Sequence, residues 1–303
     1  MSRLPKTSEQ TIAKKTPPWC AFILEFNNIY GESGKMAKGS VRLHRLDLNK
    51  GTFTETDDVV ASDKAICVFI NDEYYRTLIA TPTMVEELVI GHLLGEGIVT
   101  SIDEVKKIES ELLRVSVELQ GETDLDIVNR SKIDLITTAC GSITTPLTGD
   151  QIDLLKIESD IEVEAEKIWG MIRELNQRSR IYQETGGTHS ALICDMDGGV
   201  VSFAEDVGRH NAVDKAIGAC ALALEDFSEC VLVSSGRQSG EMVLKAARSG
   251  IPIVASVAAP LESGITLSKA AGITLICFVR GRRMNIYSHP WRVSLKGRTP
   301  DVE

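Results

Sequence analysis

CVLVSSGRQSGEMVLKAARSGIPIVAS, residues 230–256, decides the fold. Residues 230–234 are a short apolar run that reads as a strand. A turn of small polar residues with Gly236 follows, and residues 238–249 read as a helix. Residues 251–256 return to a strand pattern. Working outward, residues 262–271 read as a helix and 274–279 as a strand. Upstream, residues 190–194 and 200–203 are strands around the Asp197-Gly198 turn, and 207–224 is helical. A further helix covers residues 162–178, where Val163, Ile168, Met171, Ile172 and Leu175 recur at spacings of three and four. Strands and helices alternating through short links predict an α/β layered sheet with helices on its faces.

The first half of the chain has a different grain. Residues 64–70 and 74–80 are β-rich runs around Asn71-Asp72, a hairpin signal. Thr83 with Glu86 three residues on is a capping-box pattern, so a helix is expected to start at Thr83 and end near Gly95 or Gly97. Leu88, His92 and Gly95 fall on one side of it. Residues 112–119 alternate like a strand, and residues 134–138 lead into Cys140. Residues 1–18 read as a polar tail, and residues 30–40, rich in Gly, Ser and Lys, as flexible. The expected division is a tail and linker over 1–40, a smaller β-rich α+β domain over 41–145, and an α/β domain over 146–303.

A chain of 303 residues with 43% hydrophobic and 25% charged residues can bury a large core. A formal net charge of -10 argues against a protein that coats nucleic acid. No apolar run is long enough to span a bilayer, and residues 1–18 lack the apolar segment of a secretory signal. Seven scattered cysteines do not resemble a disulfide framework, and a reducing cytoplasm is the expected location. Cys67, Cys194 and Cys277 lie in apolar runs and read as small buried hydrophobes.

Polar residues gather at the ends of the strands, where open α/β sheets bind ligands. Residues 137–142, TTACGS, read as a loop holding Cys140, either an exposed thiol or a cysteine packed in a turn. Gly186-Gly187-Thr188-His189 permits close approach of a ligand to the backbone, or is simply a strand-entry turn. Residues 205–215, EDVGRHNAVDK, pack acidic, basic and amide groups beside one glycine. Arg209, His210 and Lys215 suit an anion there, with a solvated helix face as the alternative.

In residues 234–242, SSGRQSGEM, a strand passes through a glycine-rich turn into a helix, an arrangement that aims N–H groups at a phosphate. Arg237 adds a planar fork. Glu241 and Lys245 are spaced as an i,i+4 pair. Phe278-Val279-Arg280-Gly281-Arg282-Arg283 forms a local basic patch. Zinc-deaminase, zinc-protease and serine-hydrolase signatures are absent, and no metal site is expected.

GGTHSA (186–191), EDVGRHNAVDKAIG (205–218), SGRQSGEMVLK (235–245), GIPIVAS (250–256), Ala259-Pro260, GITL (272–275) and GHLLGEGIV (91–99) together resemble the FdhD family, over residues 41–290. The resemblance implies a sulfur carrier required for active formate dehydrogenase. Such a protein accepts sulfur from a cysteine desulfurase as a persulfide. It passes the sulfur to the molybdenum cofactor in its bis(molybdopterin guanine dinucleotide) form. The resemblance also implies a cytidine-deaminase-like α/β domain without zinc ligands.

The family's persulfide cysteine falls on Cys140, the sulfurtransferase nucleophile. Its cofactor-binding stretch falls on Phe278, Val279, Arg280, Gly281, Arg282 and Arg283. His189, Arg209, Lys215, Gly236 and Arg237 are expected to join the same site by our own reading of the residues. The expected partners are a cysteine desulfurase, a formate dehydrogenase and a second copy of the chain in a homodimer, with no nucleic acid. The sequence departs from the family pattern at Leu261, where Thr is usual, and at Ile143, where a second cysteine is common. With Ile143 in place, a single thiol carries the whole transfer; the competing expectation is a chaperone that holds the cofactor without sulfur chemistry.

Overall fold

The computed structural model describes residues 36–111, 113–121, 155–223 and 226–295. Within them a mixed six-stranded sheet is the centre. Its strands are β8 (His189–Asp195), β9 (Val200–Asp206), β10 (Cys230–Ser234), β11 (Ile253–Ser256), β12 (Thr274–Arg280) and β13 (Arg283–Ile286), in the order β13-β12-β11-β10-β8-β9. β10, β11 and β12 run parallel; β8, β9 and β13 add antiparallel edges. The parallel trio is where the strand–helix alternation was read.

Alternate residues serve opposite faces, as the pleat demands. One face (Leu192, Cys194, Val231, Val233, Ile253, Ala255, Ile276) packs under Ile168, Met171, Ile172 and Leu175 of a helix at Ala165–Arg178. The other face (Ala191, Ile193, Leu232, Val254, Leu275, Cys277) packs against two helices, Arg209–Leu222 and Gly240–Ser249.

In chain order the helices are α1 (Val85–Glu96), α2 (Ala165–Arg178), α3 (Arg180–Thr185), α4 (Arg209–Leu222), α5 (Gly240–Ser249) and α6 (Glu262–Ala270). α1 belongs to the first half of the chain yet lies on α4 and α5. Beyond it stands a four-stranded sheet of β3 (Lys64–Ile70), β4 (Glu73–Ala80), β5 (Val105–Glu111) and β6 (Arg114–Leu119), ordered β4-β3-β6-β5. Ile66, Val68, Ile70, Val115 and Val117 join the same continuous core as α1 and α4. Covered on both sides, α1 is buried from Leu88 to Gly95 without interruption and has no polar face.

Glycine sets the distance between α1 and α4. A Cβ on Gly91 would lie 1.7 Å from the carbonyl oxygen of Asp214, and one on Gly218 would lie 1.8 Å from that of Glu87. The two backbones touch. Close by, His92 Nδ1 faces Asp214 Oδ2 at 3.4 Å, and Lys245 Nζ lies 2.8 Å from Asp214 Oδ1 and 3.7 Å from Glu96. Arg76 Nη1 lies 3.0 Å from His92 Nε2. A guanidinium only donates, so Nε2 accepts and the ring proton sits on Nδ1. Burial, foremost, holds His92 below its ordinary value. Burial pushes Asp214 up, but Lys245 and His92 outweigh it and keep the carboxyl low.

Several local expectations change. The Asn71-Asp72 hairpin forms, both residues with positive φ as a two-residue mirror-image turn requires. Thr83, expected to cap α1, does not: Met84 in the left-handed region precedes the helix and no side chain caps it. Glu86 instead accepts from Ser110 Oγ at 2.6 Å. The capping box forms at Ser101 and Glu104, on a short 3-10 turn. Gly39 and Ser40, expected to be flexible, lie in β1 (Lys38–Asp47), paired over its length with β2 (Thr52–Ala61). Helix α5 starts at Gly240 rather than Gln238, because Gln238 bridges to Pro260. A two-stranded pairing of β14 (Val293–Ser294) with β7 (Val163–Glu164) completes the described strands.

Gly91→Ala should lose on the order of 3 kcal/mol or more in urea denaturation, since neither backbone can retreat. Gly170→Ala, on α2 with open space around the new Cβ, should be neutral or gain about 0.5–1 kcal/mol. His92 predicts the acid side of the stability curve. Its folded value lies below the unfolded 6.5, so the unfolded chain binds the proton first. Stability should hold above that value and fall as the pH drops from it toward the folded one. His92→Gln should make the decline in melting temperature over this window shallower.

Candidate anion site at the carboxyl edge of the sheet

One edge of the six-stranded sheet collects the chain segments that the sequence singled out. β10, β11 and β12 end there at Ser234, Ser256 and Arg280; β9 ends there at Asp206, and antiparallel β8 begins there at His189. α4 and α5 both start at this edge, which brings the positive ends of two helix dipoles to it. The loops are stitched together: Gln238 N donates to Ala259 O, Leu261 N to Gln238 O, and Phe278 N to Ala258 O.

His189, Arg209, Gly236 and Arg237 meet here. A Cβ on Gly236 would lie 2.8 Å from Arg209 Cβ, so the glycine lets the turn close on the arginine stem. Ser235 Oγ accepts from Ser190 N at 2.9 Å and lies 3.2 Å from His189 Nδ1. The hydroxyl ties the strand entry and the imidazole to the turn after β10. Burial first, then Arg209, Arg237 and His210, hold His189 below its ordinary value. In a chain of net charge -10 this corner brings two arginines, Arg209 and Arg237, close to one imidazole.

Two residues expected at the site have fully buried side chains. Lys215 is fully buried, with Nζ 2.6 Å from Asp206 Oδ2 and 2.8 Å from Thr81 O. Burial lowers its ammonium more than Asp206 restores it. This is a core ion pair, and it presents no donor at the surface. Val279 is also fully buried, packed in the core beneath α2.

Phe278 belongs to the edge through its bond to Ala258, but the basic turn after it is divided. Arg282 forks onto Glu166 at 3.1 and 2.8 Å and stacks 4.7 Å from the Trp169 ring. Arg280 lies over Phe278 at 5.1 Å. Arg280, Gly281 and Arg283 are exposed. Cys140 lies outside the described residues.

The string 205–215 thus does two jobs. Glu205 accepts from Ile181 N, Tyr182 N and Thr188 Oγ1 and so fastens the start of α3. Asp206 accepts from Thr81 N, Gly208 N and Asn211 Nδ2, tying the first half of the chain to the second. Only Arg209 and His210 turn to the corner. Glu241 and Lys245, spaced to pair with each other, pair instead with His210 at 3.2 Å and with Asp214. Ser235 and Glu241 lie in the 234–242 segment singled out in the sequence but were not named there as site residues; a small hydroxyl directly after a buried strand was the available signal for the first.

The sequence model of the FdhD/NarQ family matches residues 61–294. The chain belongs to the FdhD/NarQ family. A sulfur carrier protein FdhD from Thermoplasma acidophilum is 34% identical over 276 residues, covering 86% of this chain and 96% of the relative. One from Bacillus subtilis is 34% identical over 247 residues, covering 80% and 94%. A crystal structure from Desulfotalea psychrophila, described as a formate dehydrogenase accessory protein, superposes with a TM-score of 0.70 at 26% identity. That superposition covers 86% of this chain and the whole of that one.

Among the described residues of this FdhD/NarQ protein, no three His, Cys, Asp or Glu side chains are grouped to hold a metal ion, and no helix is long and apolar enough to cross a membrane. The division of labour within 205–215 is testable by urea denaturation. Lys215→Met strands Asp206 in the core and should cost about 3–5 kcal/mol. Arg237→Ala, at an exposed position, should change stability by no more than about 0.5 kcal/mol.

Proposed function

We propose that this protein is a sulfur carrier that takes persulfide sulfur from a cysteine desulfurase onto Cys140. It then delivers that sulfur to the bis(molybdopterin guanine dinucleotide) form of the molybdenum cofactor, its substrate, for use by a formate dehydrogenase. The family match over most of the chain carries the reading, with relatives named sulfur carrier protein FdhD. The corner at the sheet edge supports the nucleotide part. Two helix N-termini, Arg209 and Arg237 suit phosphate, and Gly236 allows the turn to close without a side chain. Phe278, Arg280, Gly281 and Arg283 extend the same edge, and Lys215 and Val279 support it from the core.

The thiols support the assignment of the acceptor. All five described cysteines are buried, and burial pushes Cys194 and Cys277 up to about 12. A thiol so held is a poor nucleophile. Cys20 and Cys140 remain, and the family resemblance selects Cys140. The Cys140 thiolate attacks the terminal, sulfane sulfur of the desulfurase persulfide. A new S–S bond forms on Cys140, the old one breaks, and the desulfurase cysteine leaves as thiolate.

The arrangement around the central sheet also supports a cytidine-deaminase-like layering. α2 covers one face and α4 and α5 the other, with the ligand corner at the starts of α4 and α5. Residues 41–145 form the smaller domain of this reading and 146–303 the larger; a cytoplasmic homodimer is its expected state.

Intact-protein mass spectrometry after incubation with a cysteine desulfurase and L-cysteine tests the carrier step. The wild type and Cys20→Ala should each gain one sulfur, and Cys140→Ala none. Loss of formate dehydrogenase maturation should follow the same pattern. Full maturation with Cys140→Ala would replace the carrier reading with that of a cofactor-holding chaperone.

A further inference from the structure

The first turn of α4 carries a histidine that the mechanism above does not use. His210 is 5% exposed, and neither ring nitrogen has an aligned hydrogen-bond partner. Nε2 lies 3.2 Å from Glu241 Oε2, an ion-pair separation between the first turns of α4 and α5. Buried polar nitrogens are rarely left without a partner, and those that are mark a place completed by something else. Glu241, as a carboxylate, favours a proton on Nε2. Nδ1 is then the atom left over. His210 follows Arg209 in the chain and lies close enough to His189 to disfavour a charge on that second ring.

The charged groups at this corner come from every element packed around it. They are Glu241 from α5, Arg209 from α4, His189 from β8, Arg237 from the β10–α5 turn and Asp206 from β9. Asp214 and Lys245 pair one turn further along α4 and α5. In a neutral ring with its proton on Nε2, Nδ1 is a bare lone pair, and an ionised phosphate oxygen has nothing to donate to it. A phosphate is welcome only when Nδ1 is protonated too. Glu241 then balances the imidazolium.

We propose that His210 and Glu241 act as one unit that links binding to protonation. A phosphate group entering the corner is met by a doubly protonated His210, with Nδ1–H on the phosphate and Nε2–H on Glu241. The proton comes from solvent and returns to it on release. His210 is thereby a ligand-binding residue and Glu241 its positioning residue. The inference rests on the nucleotide reading of this site and assigns its proton stoichiometry.

Calorimetric titration of the full-length protein with GDP tests this, run at about pH 7 in two buffers of different ionisation heat. The wild type should bind and take up a fraction of a proton. His210→Gln should bind more weakly and lose that uptake. Glu241→Gln, which leaves the imidazole in place, should bind with reduced uptake and decides the matter if His210→Gln does not fold. His189→Gln should keep the uptake. Binding with the same uptake in His210→Gln or Glu241→Gln as in wild type would overturn the His210–Glu241 unit while leaving the nucleotide site standing. Binding without any uptake in wild type would do the same, with His210 accepting from a base N–H instead. Failure of the wild type to bind GDP would overturn both readings.

Discussion

The contact of α1 with α4 at Gly91 and Gly218 is the constraint on which the rest of the structure depends. It brings a helix from the first half of the chain to backbone contact with a helix of the second. At ordinary helix separations of about 8–10 Å, the side chains of His92 and Glu96 would have to reach further to meet Asp214 and Lys245. With two glycines at the crossing, they reach. The same approach merges the four-stranded sheet and one face of the six-stranded sheet into a single apolar core. A boundary drawn along the sequence near residue 145 therefore separates chain segments whose buried surfaces are shared.

Three helices present their buried polar groups at the same i,i+4 spacing: His92 and Glu96 on α1, His210 and Asp214 on α4, Glu241 and Lys245 on α5. Stacked, they make rungs. His210 with Glu241 lies at the sheet edge, and Asp214 with Lys245 lies one turn inward, where His92 and Glu96 close the group. Buried ion pairs gain little net stability over apolar side chains of the same size, because desolvation consumes the Coulomb attraction. What they do supply is geometry. Lys245 can be satisfied only where Asp214 and Glu96 converge, so the rungs fix the register of α5 against α4 and α1. Burial works against the Lys245 ammonium, yet the two carboxylates hold it above its ordinary value.

The sequence was readable where one physical rule dominates. β10 was read to the residue, because a fully buried five-residue strand bounded by turn residues has no competing interpretation. The Asn71-Asp72 turn was read for the same reason. β1 and β2 were missed because neither face of that ribbon is buried, and without burial there is no apolar alternation to find. The capping box at Thr83 failed although its residues were right. Thr81 is held by Asp206, and Thr83 N turns back to Thr81 O, so the chain enters α1 through Met84 instead. That bond spans 125 residues, and no local pattern contains it.

The polar string 205–215 shows why site residues are harder to read than elements. A buried ion pair and a ligand contact call for the same residue types, so composition alone cannot separate Lys215 from Arg209. The α-helix separates them. Arg209 is the first residue of α4, at the positive end of the helix dipole. Lys215 lies six residues further on, more than one and a half turns into the packed interior. Its long stem runs through the core to Thr81 and Asp206. The density of charge that marked the string as functional was thus mostly the cost of joining two halves of the chain. The groups left facing the edge, Arg209 and His210, are few because Asp206, Asn211, Asp214 and Lys215 are committed to holding α4 where those two can meet His189, Gly236 and Arg237.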